Sequence, residues 1–316
     1  MKALVVNAPG HGFDLEDVQI APPRGREVLV DVKASGLCHT DLVFATHDIV
    51  PMPAVLGHEV AGIIAEVGPD VAQFRVGDHV VGSLAQSCGT CARCLAGRPF
   101  QCQRPESTVR PPAEAPRLSR NGVGAVLNTA NVCAGDTVVI FGAGGVGLNA
   151  ISGARIAGAS RIVVIDIQPK RLEAARRFGA TDVIDSTVTK PVEAVRDLLK
   201  GGADHVFDFV GQKVVAEQGL AMLGVGGGLY FVGVARPEIS IDLNIFEAIG
   251  EQKRIQGVNF GSTNFKHDIS MYAELYLQGR MNLDDLVSKR IALRDVNDGY
   301  AALKDGALNR VVVTSF

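Results

Sequence analysis

Apolar residues in the first hundred positions form short runs that glycines separate. Two of these runs, 28–32 and 60–67, have the length of β-strands, and this part of the chain is punctuated by Gly57, Gly62, Gly68, Gly77 and Gly82. Short β segments divided by turns are typical of a compact, barrel-like β domain rather than of a parallel sheet. We therefore expect a small β domain in the N-terminal part of the chain.

The pattern changes at Asp136, where runs of strand length begin to alternate with segments of helix length. Strands are predicted at 137–141, 161–167, around 183, at 206–210 and at 229–234, and helices at 146–156, 169–178, 192–199 and 214–223. Repeated β-α units of this length predict a parallel sheet with helices on both faces. After residue 261 the pattern predicts two more helices, near 271–277 and 296–304, and a last strand at 310–314.

One stretch, from Arg104 to Gly122, fits neither pattern. It contains four prolines and many charges but almost no apolar residue. Such a composition does not support a buried core and is typical of an exposed loop.

Composition narrows the class of protein. A chain of 316 residues with 47% hydrophobic residues exceeds the usual size of one domain, so two domains are expected. The net charge of -3 gives no reason to expect nucleic acid as a partner. There is no run of 18 apolar residues and no signal-peptide pattern, so we expect a cytoplasmic protein without a membrane partner.

A glycine-rich motif directly follows the strand predicted at 137–141 and opens the next helix. Its residues are Gly142, Gly144, Gly145, Val146 and Gly147. Glycines in this context let backbone amides approach a pyrophosphate at a helix N-terminus, where the helix dipole favours negative charge. Asp166 ends the following strand, and its carboxylate would bind the adenosine ribose hydroxyls and repel a 2′-phosphate. The motif predicts a site for NAD rather than NADP, the simpler alternatives being a tight turn and a solvated acid.

Four of the six cysteines are crowded into one short segment. They are Cys88, Cys91, Cys94 and Cys102. Closely spaced cysteines can surround one Zn²⁺ tetrahedrally with no open position, which is typical of a structural site. An iron-sulfur cluster and disulfides are the alternatives, but the size of the chain and a reducing compartment favour a metal. We expect this segment to fold around zinc rather than to perform chemistry.

Two short polar segments lie in apolar, glycine-bearing surroundings. One contains Cys38 and Asp41, and the other contains His58 and Glu59. Cysteine and neutral histidine are preferred ligands of Zn²⁺, and a catalytic zinc needs three protein ligands and one open position. Taken alone, each residue is read as part of the core or the surface. Beside a dinucleotide site and a cysteine-rich segment, the pair indicates a second, catalytic zinc.

Together these motifs resemble the zinc-dependent medium-chain alcohol dehydrogenases over nearly the whole chain. The resemblance rests on the string Gly57-His58-Glu59-Val60-Ala61-Gly62, the four cysteines and the glycine motif, which occur in the expected order. The strings Cys38-His39-Thr40-Asp41 and Lys266-His267-Asp268 are most similar to the glutathione-type (class III) and the nitroso-dimethylaniline-dependent actinobacterial branches.

The family implies an α/β fold with two domains. A GroES-like β-barrel catalytic domain would comprise 1–126, including the cysteine segment 88–102, and would be completed by 261–316. A Rossmann domain, with a doubly wound parallel sheet that binds NAD, would comprise 127–260. The family also implies a homodimer or homotetramer joined through the cofactor domains.

The resemblance assigns zinc ligands and a proton path. Cys38 and His58 would bind the catalytic zinc, with Glu59 as a carboxylate that can approach the metal and Asp41 orienting His58. Thr40 would relay the alcohol proton.

Many relatives continue this proton path with a histidine, where this chain has Val43. The cofactor ribose and water would then take over the relay, since His47 is expected to be a loop residue.

The resemblance also assigns cofactor contacts. His39 and Arg310 would contact the pyrophosphate, and Arg171 would lie near the adenosine ribose. Val232 and Val234 would lie along the nicotinamide. Ile167, next to Asp166, completes the predicted cofactor-binding set. Solvated surface roles are the alternative for His39, Arg310 and Arg171, and plain packing is the alternative for the two valines.

The chain departs from the family at the third zinc ligand. Relatives supply a cysteine just before the helix that leads into the cofactor domain, whereas here Asn121-Gly122 precedes the helix predicted at 123–130. Only 39 residues separate Cys102 from Gly142, which is much less than in relatives. We therefore expect several strands of the family's catalytic domain to be absent as well. Cys133 lies on the far side of that helix and is not expected to substitute.

Two explanations are open for this shortening. Either the natural polypeptide has a segment that this sequence lacks, or the protein has lost it. We favour the first, because removing interior strands from a barrel leaves unpaired edges and exposed apolar surface. That is a large cost against a typical net stability of ~5–15 kcal/mol.

The implied activity is the oxidation of a small-molecule alcohol to an aldehyde or ketone, and the reverse, by hydride transfer to NAD. Zinc would act as a Lewis acid on the substrate oxygen. One alternative is a zinc-independent medium-chain reductase acting on enones or quinones. Another, if the third ligand is truly lost, is a non-catalytic NAD-binding protein.

Overall fold

The computed structural model describes residues 1–83, 85–105, 125–304 and 308–316. The chain divides into two compact units. The first comprises Met1–Cys88, Arg104–Asn121 and Val287–Phe316, and the second comprises Gly89–Gln103 and Gly122–Leu286. Within the described part of the chain, every helix is too short or too polar to cross a membrane.

The described strands and helices are numbered in chain order. The strands are β1 (Lys2–Val6), β2 (Asp14–Asp17), β3 (Val28–Gly36), β4 (Ala54–Val55), β5 (Glu59–Val67), β6 (His79–Val81), β7 (Thr137–Phe141), β8 (Arg161–Asp166), β9 (Asp182–Asp185), β10 (Ala203–Asp208), β11 (Leu223–Phe231), β12 (Arg254–Gly257), β13 (Lys289–Ala292) and β14 (Val311–Ser315). The α-helices are α1 (His39–Thr46), α2 (Ala92–Leu95), α3 (Gly145–Ala157), α4 (Pro169–Phe178), α5 (Pro191–Leu198), α6 (Lys213–Met222), α7 (Ile245–Gly250), α8 (Phe265–Leu277) and α9 (Val296–Lys304).

The first unit is built on two small sheets. One has the strand order β2-β1-β4 and is antiparallel. The other has the order β13-β14-β3-β5-β6, in which only the β13–β14 pair is parallel. Its buried core includes Phe13, Leu37, Tyr300, Val311 and Val313, which come from distant parts of the sequence. The prediction of an N-terminal β domain is confirmed.

The second unit contains a six-stranded parallel sheet of order β12-β11-β10-β7-β8-β9. Alternate residues of β7 belong to different cores: Val138 and Ile140 pack in one cluster, and Val139 and Phe141 in another. Both faces of the sheet are therefore covered, as a parallel sheet with crossover helices requires. The predicted doubly wound α/β fold is confirmed for this unit.

Several element boundaries differ from the sequence prediction. The strand predicted at 229–234 begins six residues earlier, at Leu223, because the glycine-rich residues before Leu229 still pair with β10 and β12. The strand predicted at 206–210 starts at Ala203 and ends at Asp208, whose side chain accepts hydrogen bonds from the next turn. The glycines hid the start of β11 from the sequence pattern, and the hydrogen bonds of Asp208 end β10 before its apolar run ends.

The predicted loop from Arg104 to Gly122 lies outside the described residues after position 105. The helix predicted at 123–130 is described only from Ala125, as a π-helix that ends at Ala130. Asn121-Gly122, which occupies the position of the third zinc ligand, also lies outside the described residues.

Candidate functional site

The pairing of β3 with β5 brings Cys38 and His58 together. The strands are antiparallel, and Gly36, the last residue of β3, lies opposite Glu59, the first residue of β5. Cys38 follows β3 by two residues and His58 directly precedes β5, so both reach the same end of the strand pair. A β-carbon at Gly36 would collide with the Glu59 carboxylate. Glycine at this position therefore makes room for the Glu59 side chain beside the site.

Cys38, His58 and Glu59 form a group that can hold a metal ion. One ligand atom from each of the three residues lies within 4.8 Å of the others. His58 is buried, whereas Cys38 and Glu59 are half-buried. A thiol, an imidazole and a carboxylate are all ligands that Zn²⁺ accepts.

Asp41 fixes the orientation of His58. The two side chains are joined by a hydrogen bond of 2.8 Å between His58 Nδ1 and Asp41 Oδ1, and both residues are buried. His58 Nε2 is also buried and has no hydrogen-bond partner among the described residues. A buried ring nitrogen without a partner is costly unless another group satisfies it. With Nδ1 bound to Asp41, Nε2 is available as a metal ligand.

The charges around His58 favour a bound cation. Burial alone would lower the pKa of His58, but the hydrogen bond to Asp41 and the neighbouring Cys38 outweigh it and raise the pKa to about 10. The site therefore stabilises positive charge at this ring. A metal cation bound at Nε2 supplies the same charge without a proton.

Two further residues contact this site and were not predicted to do so. Tyr300, on α9, stacks on Phe13 and places its hydroxyl 3.5 Å from Asp41 Oδ2. Burial, followed by the charge of Asp41, raises the pKa of this tyrosine. Arg310, for which the family resemblance implies a pyrophosphate contact, forms an ion pair with Glu59. Neither contact had a local sequence signal, because the partners lie about 250 residues apart.

The remaining residues of the first polar segment lie on α1. His39 is exposed and Thr40 is half-buried. His47, just after the helix, is exposed, and its Nδ1 lies 3.0 Å from the Val43 carbonyl oxygen. The position of His47 agrees with its prediction as a loop residue.

The four clustered cysteines come together around α2. Their sulfur atoms lie within 4.8 Å of one another, and the sulfurs of Cys91 and Cys102 are 4.0 Å apart. Four sulfurs at about 2.3 Å from a tetrahedral zinc would be separated by about 3.8 Å, which matches this spacing. All six cysteines are among the described residues, and none of them forms a disulfide. Cys133, the sixth, is exposed and bonds to the carbonyl oxygen of Asn131.

The glycine motif forms a cradle at the N-terminus of α3. Gly142 has φ +93°, a conformation that suits glycine. A β-carbon at Gly147 would overlap the carbonyl oxygen of Gly142, so the turn and the helix pack backbone to backbone. A β-carbon at Gly144, in contrast, would project into open space. The first helical turn has no side-chain cap, so its amides remain available to an anion.

Asp166 lies at the end of β8 beside this cradle. Its Oδ2 accepts a hydrogen bond from the amide of Ala143 at 2.7 Å, and its Oδ1 accepts one from the amide of Gln168 at 2.9 Å. Arg171 approaches the same carboxylate at 4.0 Å and keeps a buried Nε without a partner among the described residues. Ile167 is exposed next to it. Val232 is half-buried and Val234 is exposed just beyond the end of β11.

The Lys266-His267-Asp268 segment starts α8. Asp268 is buried, and its carboxylate binds the side chain of Asn128, the amide of Asn264 and the ring of His267. The segment therefore anchors the first turn of a helix, a structural role within the second unit.

Two family models match the chain. Residues 24–140 match the alcohol dehydrogenase GroES-like domain, and residues 145–277 match the zinc-binding dehydrogenase domain.

Relatives match along their whole length. The NDMA-dependent alcohol dehydrogenase of Amycolatopsis methanolica is 34% identical, over 99% of this chain and 98% of that protein. The S-(hydroxymethyl)glutathione dehydrogenase of Escherichia coli (strain CFT073) is 31% identical, over 99% of both. Among solved structures, benzyl alcohol dehydrogenase from Acinetobacter calcoaceticus has a TM-score of 0.92 and 31% identity, over 100% of this chain and 99% of that chain.

The alignment with the Amycolatopsis protein spans 364 positions, whereas this chain has 316 residues, so at least 48 aligned positions have no residue here. This chain is therefore shorter than a relative of which it covers 98%. With two domain models and full-length relatives above 30% identity in agreement, the chain belongs to the zinc-binding medium-chain alcohol dehydrogenase family.

Proposed function

We propose that this protein oxidises a small-molecule alcohol to an aldehyde or ketone, and catalyses the reverse reaction, with zinc and NAD. The observation that carries the proposal is the buried Nε2 of His58. It has no hydrogen-bond partner among the described residues and belongs to a group with Cys38 and Glu59. A buried, oriented imidazole beside a thiol and a carboxylate is a donor set suited to zinc.

Cys38, His58 and Glu59 are the proposed protein ligands of the catalytic zinc. A bound zinc would supply Lewis-acid polarisation of the substrate oxygen. Asp41 binds Nδ1 of His58, so that Nε2 is the ring nitrogen at which zinc would replace a proton. Arg310 shares the carboxylate of Glu59 and can hold that side chain when it does not bind metal.

Three ligands plus an open position complete a catalytic site without the family's third cysteine. The carboxylate of Glu59 takes the place of that cysteine in this proposal. All three proposed ligands lie within the 316 residues, so the proposal does not need a further segment of chain.

Thr40 is the proposed proton carrier. It lies on the first turn of α1, two residues after Cys38, and it is half-buried. Its hydroxyl can accept a proton from the substrate and donate its own onward. Because Val43 cannot continue the relay, the proton would leave through the cofactor ribose and water.

NAD is the proposed cofactor, bound at the glycine cradle of the second unit. Gly142, Gly144, Gly145, Val146 and Gly147 would surround the pyrophosphate. NAD would supply the hydride acceptor. Asp166 favours NAD because its buried carboxylate would repel a 2′-phosphate, whereas it can accept hydrogen bonds from ribose hydroxyls.

Other residues of the cradle edge complete the proposed cofactor site. Ile167 and Arg171 would border the adenosine end, and Val232 and Val234 would lie along the nicotinamide. His39 and Arg310 are the further proposed pyrophosphate contacts, and Arg310 would then exchange Glu59 for phosphate.

The four clustered cysteines are proposed to hold a second, structural zinc. The support is the spacing of their sulfurs, which leaves no open position for a substrate. Reduced, metal-binding cysteines also suit a cytoplasmic location.

Self-association through the second unit is proposed as well, as a homodimer or homotetramer. The support is the exposure of Phe246 and Ile249 on α7, at 88% and 72%, near the exposed edge strand β12. Light scattering of wild type and of Phe246→Asp tests this point, because an interface here would be weakened by the charge.

The deciding experiment measures zinc per chain by elemental mass spectrometry on protein produced from this 316-residue sequence. We expect two zincs in wild type, one in Cys38→Ser and one in Cys94→Ser. Cys133→Ser is the matched control, because this cysteine is exposed and lies outside both groups, and it should keep two. NADH formation from a panel of small alcohols should be lost in Cys38→Ser and retained in Cys133→Ser.

A single zinc in wild type that Cys38→Ser does not change would contradict the proposal. NADH binding without a catalytic zinc would then favour a zinc-independent reductase or a non-catalytic NAD-binding protein. Tighter binding of NADPH than of NADH would contradict the role proposed for Asp166.

A further inference from the structure

Asp208, at the carboxyl end of β10, is one of the most buried carboxylates in the described chain. The residue is 1% exposed, and burial raises the pKa of its carboxyl group. Its Oδ1 accepts hydrogen bonds from two backbone amides, those of Val210 at 2.7 Å and Gly211 at 2.9 Å. One side-chain oxygen thus fixes the shape of the turn 209–211.

The backbone of Asp208 holds the neighbouring strand end. Its carbonyl oxygen accepts the amides of both Val232 and Gly233, each at 2.9 Å. The residue therefore binds two segments at once: the turn 209–211 through its side chain, and the end of β11 through its main chain.

The turn 209–211 touches both segments that are proposed to bind the dinucleotide. On one side, a β-carbon at Gly142 would lie 3.2 Å from a methyl group of Val210, so the turn packs against the glycine cradle. On the other side, a β-carbon at Gly211 would lie 2.9 Å from the carbonyl carbon of Val234. A β-carbon at Gly233 would lie 2.6 Å from the carbonyl carbon of Phe209. Contacts this close mean that a shift of the turn moves its neighbours too.

Two other strands of the same sheet end in an aspartate with a related bond. Asp166 ends β8 and accepts the amide of Gln168, and Asp185 ends β9 and accepts the amide of Thr187. Asp166 also binds the cradle, through Ala143. Asp185 lies on the outer strand β9, and among the described residues its carboxylate accepts hydrogen bonds only from the amide and hydroxyl of Thr187. Asp185 is therefore a matched control with the same local chemistry at the far edge of the sheet.

We propose that Asp208 is a positioning residue for the dinucleotide, setting the spacing between the glycine cradle and the Val232–Val234 segment through the turn 209–211. The inference rests on the proposed NAD site. It concerns the nicotinamide half of the cofactor, because the turn packs against the Val232–Val234 segment that is proposed to lie along the nicotinamide.

The test compares two probes by titration: NADH, followed by its fluorescence in a chain without tryptophan, and AMP, followed by calorimetry. In Asp208→Ala, we expect the Kd of NADH to rise roughly tenfold while the Kd of AMP stays unchanged. Asp208→Asn should stay within about twofold of wild type, because its amide oxygen can accept the same two bonds. Asp185→Ala should change neither constant.

Asp208→Val is the second variant, for use if Asp208→Ala does not fold. Valine fills the buried position and suits a strand end, but it has no hydrogen-bond acceptor. Wild-type affinity for NADH in a folded Asp208→Ala or Asp208→Val would overturn the inference, as would an equal loss for AMP or for Asp185→Ala. Loss in Asp208→Asn equal to that in Asp208→Ala would show that charge, not turn geometry, matters. If wild type itself binds AMP and NADH with no measurable affinity, the proposed function fails and this inference falls with it.

Discussion

The two units differ in how their sheets are covered. In the second unit, β7 and β8 are almost wholly buried, and apolar clusters pack on both faces. In the first unit, β3 and β5 are largely half-buried or exposed, and the described core is a single smaller cluster. That cluster includes Leu37, which directly precedes Cys38 in the chain, and Tyr300, whose hydroxyl contacts Asp41. The second unit is thus stabilised by its sheet, whereas the core of the first unit is concentrated beside the candidate zinc site.

The shorter length of this chain offers a reason why the sheets of the first unit are less completely covered. At least 48 positions of a full-length relative have no residue in this chain. Among the described residues, β6 is a three-residue edge strand and Val81 on it is 54% exposed. Strands or loops that cover such an edge in a complete barrel would bury these apolar side chains. The comparison predicts that the core of the first unit is less completely enclosed than the core of the second.

The strongest test of the comparison removes the same side chain from each core. Leu148→Ala in the second unit should lower the free energy of unfolding by about 4 kcal/mol, because this leucine is fully enclosed. Leu37→Ala in the first unit should cost about 2 kcal/mol, because a loosely covered core can relax around the cavity. Urea unfolding, monitored in each unit by amide hydrogen exchange, measures both free energies. Equal losses would contradict the idea that the two cores differ in enclosure.

The next test separates folding from cofactor binding in the second unit. Gly147→Ala should destabilise the unit by about 3 kcal/mol and weaken NADH binding on the order of a hundredfold, because the new methyl group meets the Gly142 carbonyl. Gly144→Ala is the control, since its methyl group projects into open space. It should leave the melting temperature of the cofactor-free protein unchanged and weaken NADH binding alone. A stable Gly147→Ala protein that binds NADH normally would contradict the close backbone packing of the cradle and its proposed role in NAD binding.

A smaller effect is expected from the residue that orients the proposed zinc ligand. Asp41→Asn should lower zinc affinity by roughly 10- to 100-fold, measured by competition with a chelator dye. Tyr300→Phe removes a longer contact, of 3.5 Å, to the same carboxylate and should change zinc affinity less than threefold. Similar losses in the two variants would mean that general packing, and not the orientation of His58, controls metal binding.

The smallest effect concerns pH and lies wholly in the second unit. Burial raises the pKa of Asp208, so the folded state holds its proton to a higher pH than the unfolded state does. The free energy of unfolding of wild type should therefore fall as pH rises through the window between the unfolded and the folded pKa. Asp208→Asn lacks this titration and should be slightly more stable than wild type at pH 7, and no more stable at pH 3. Chemical denaturation of both proteins at the two pH values measures this difference, and a constant difference would contradict the sign.

Much of the candidate site could be read from the sequence because its signals are local. The glycine motif, the strand before it and Asp166 are contained in 30 consecutive residues, from Thr137 to Asp166. The four cysteines are contained in one short segment, 88–102, and their gaps alone restrict the geometry that they can adopt. The pattern of apolar and polar residues predicted the strand β7 and the helix α4 with the bounds that the structure has.

Contacts between distant residues could not be read in this way. The sequence does not show that Tyr300 reaches Asp41, that Arg310 pairs with Glu59, or that Gly36 must lack a side chain to make room for Glu59. Each depends on the register of β3, β5 and β14 and on the packing of α9, which no local pattern encodes.

The sequence by itself determined the alternation of strands and helices, the dinucleotide motif and the types of metal ligand, because these depend on residue type and spacing within a few turns of chain. Only the tertiary structure decided which of these groups meet. The antiparallel pairing of β3 and β5 places Cys38 beside His58 and leaves a buried ring nitrogen without a partner. Parallel pairing in the second unit places the turn after Asp208 against the glycine cradle. Such contacts arise from the free energy of burying whole sheets, which is a property of the folded chain and not of any one segment.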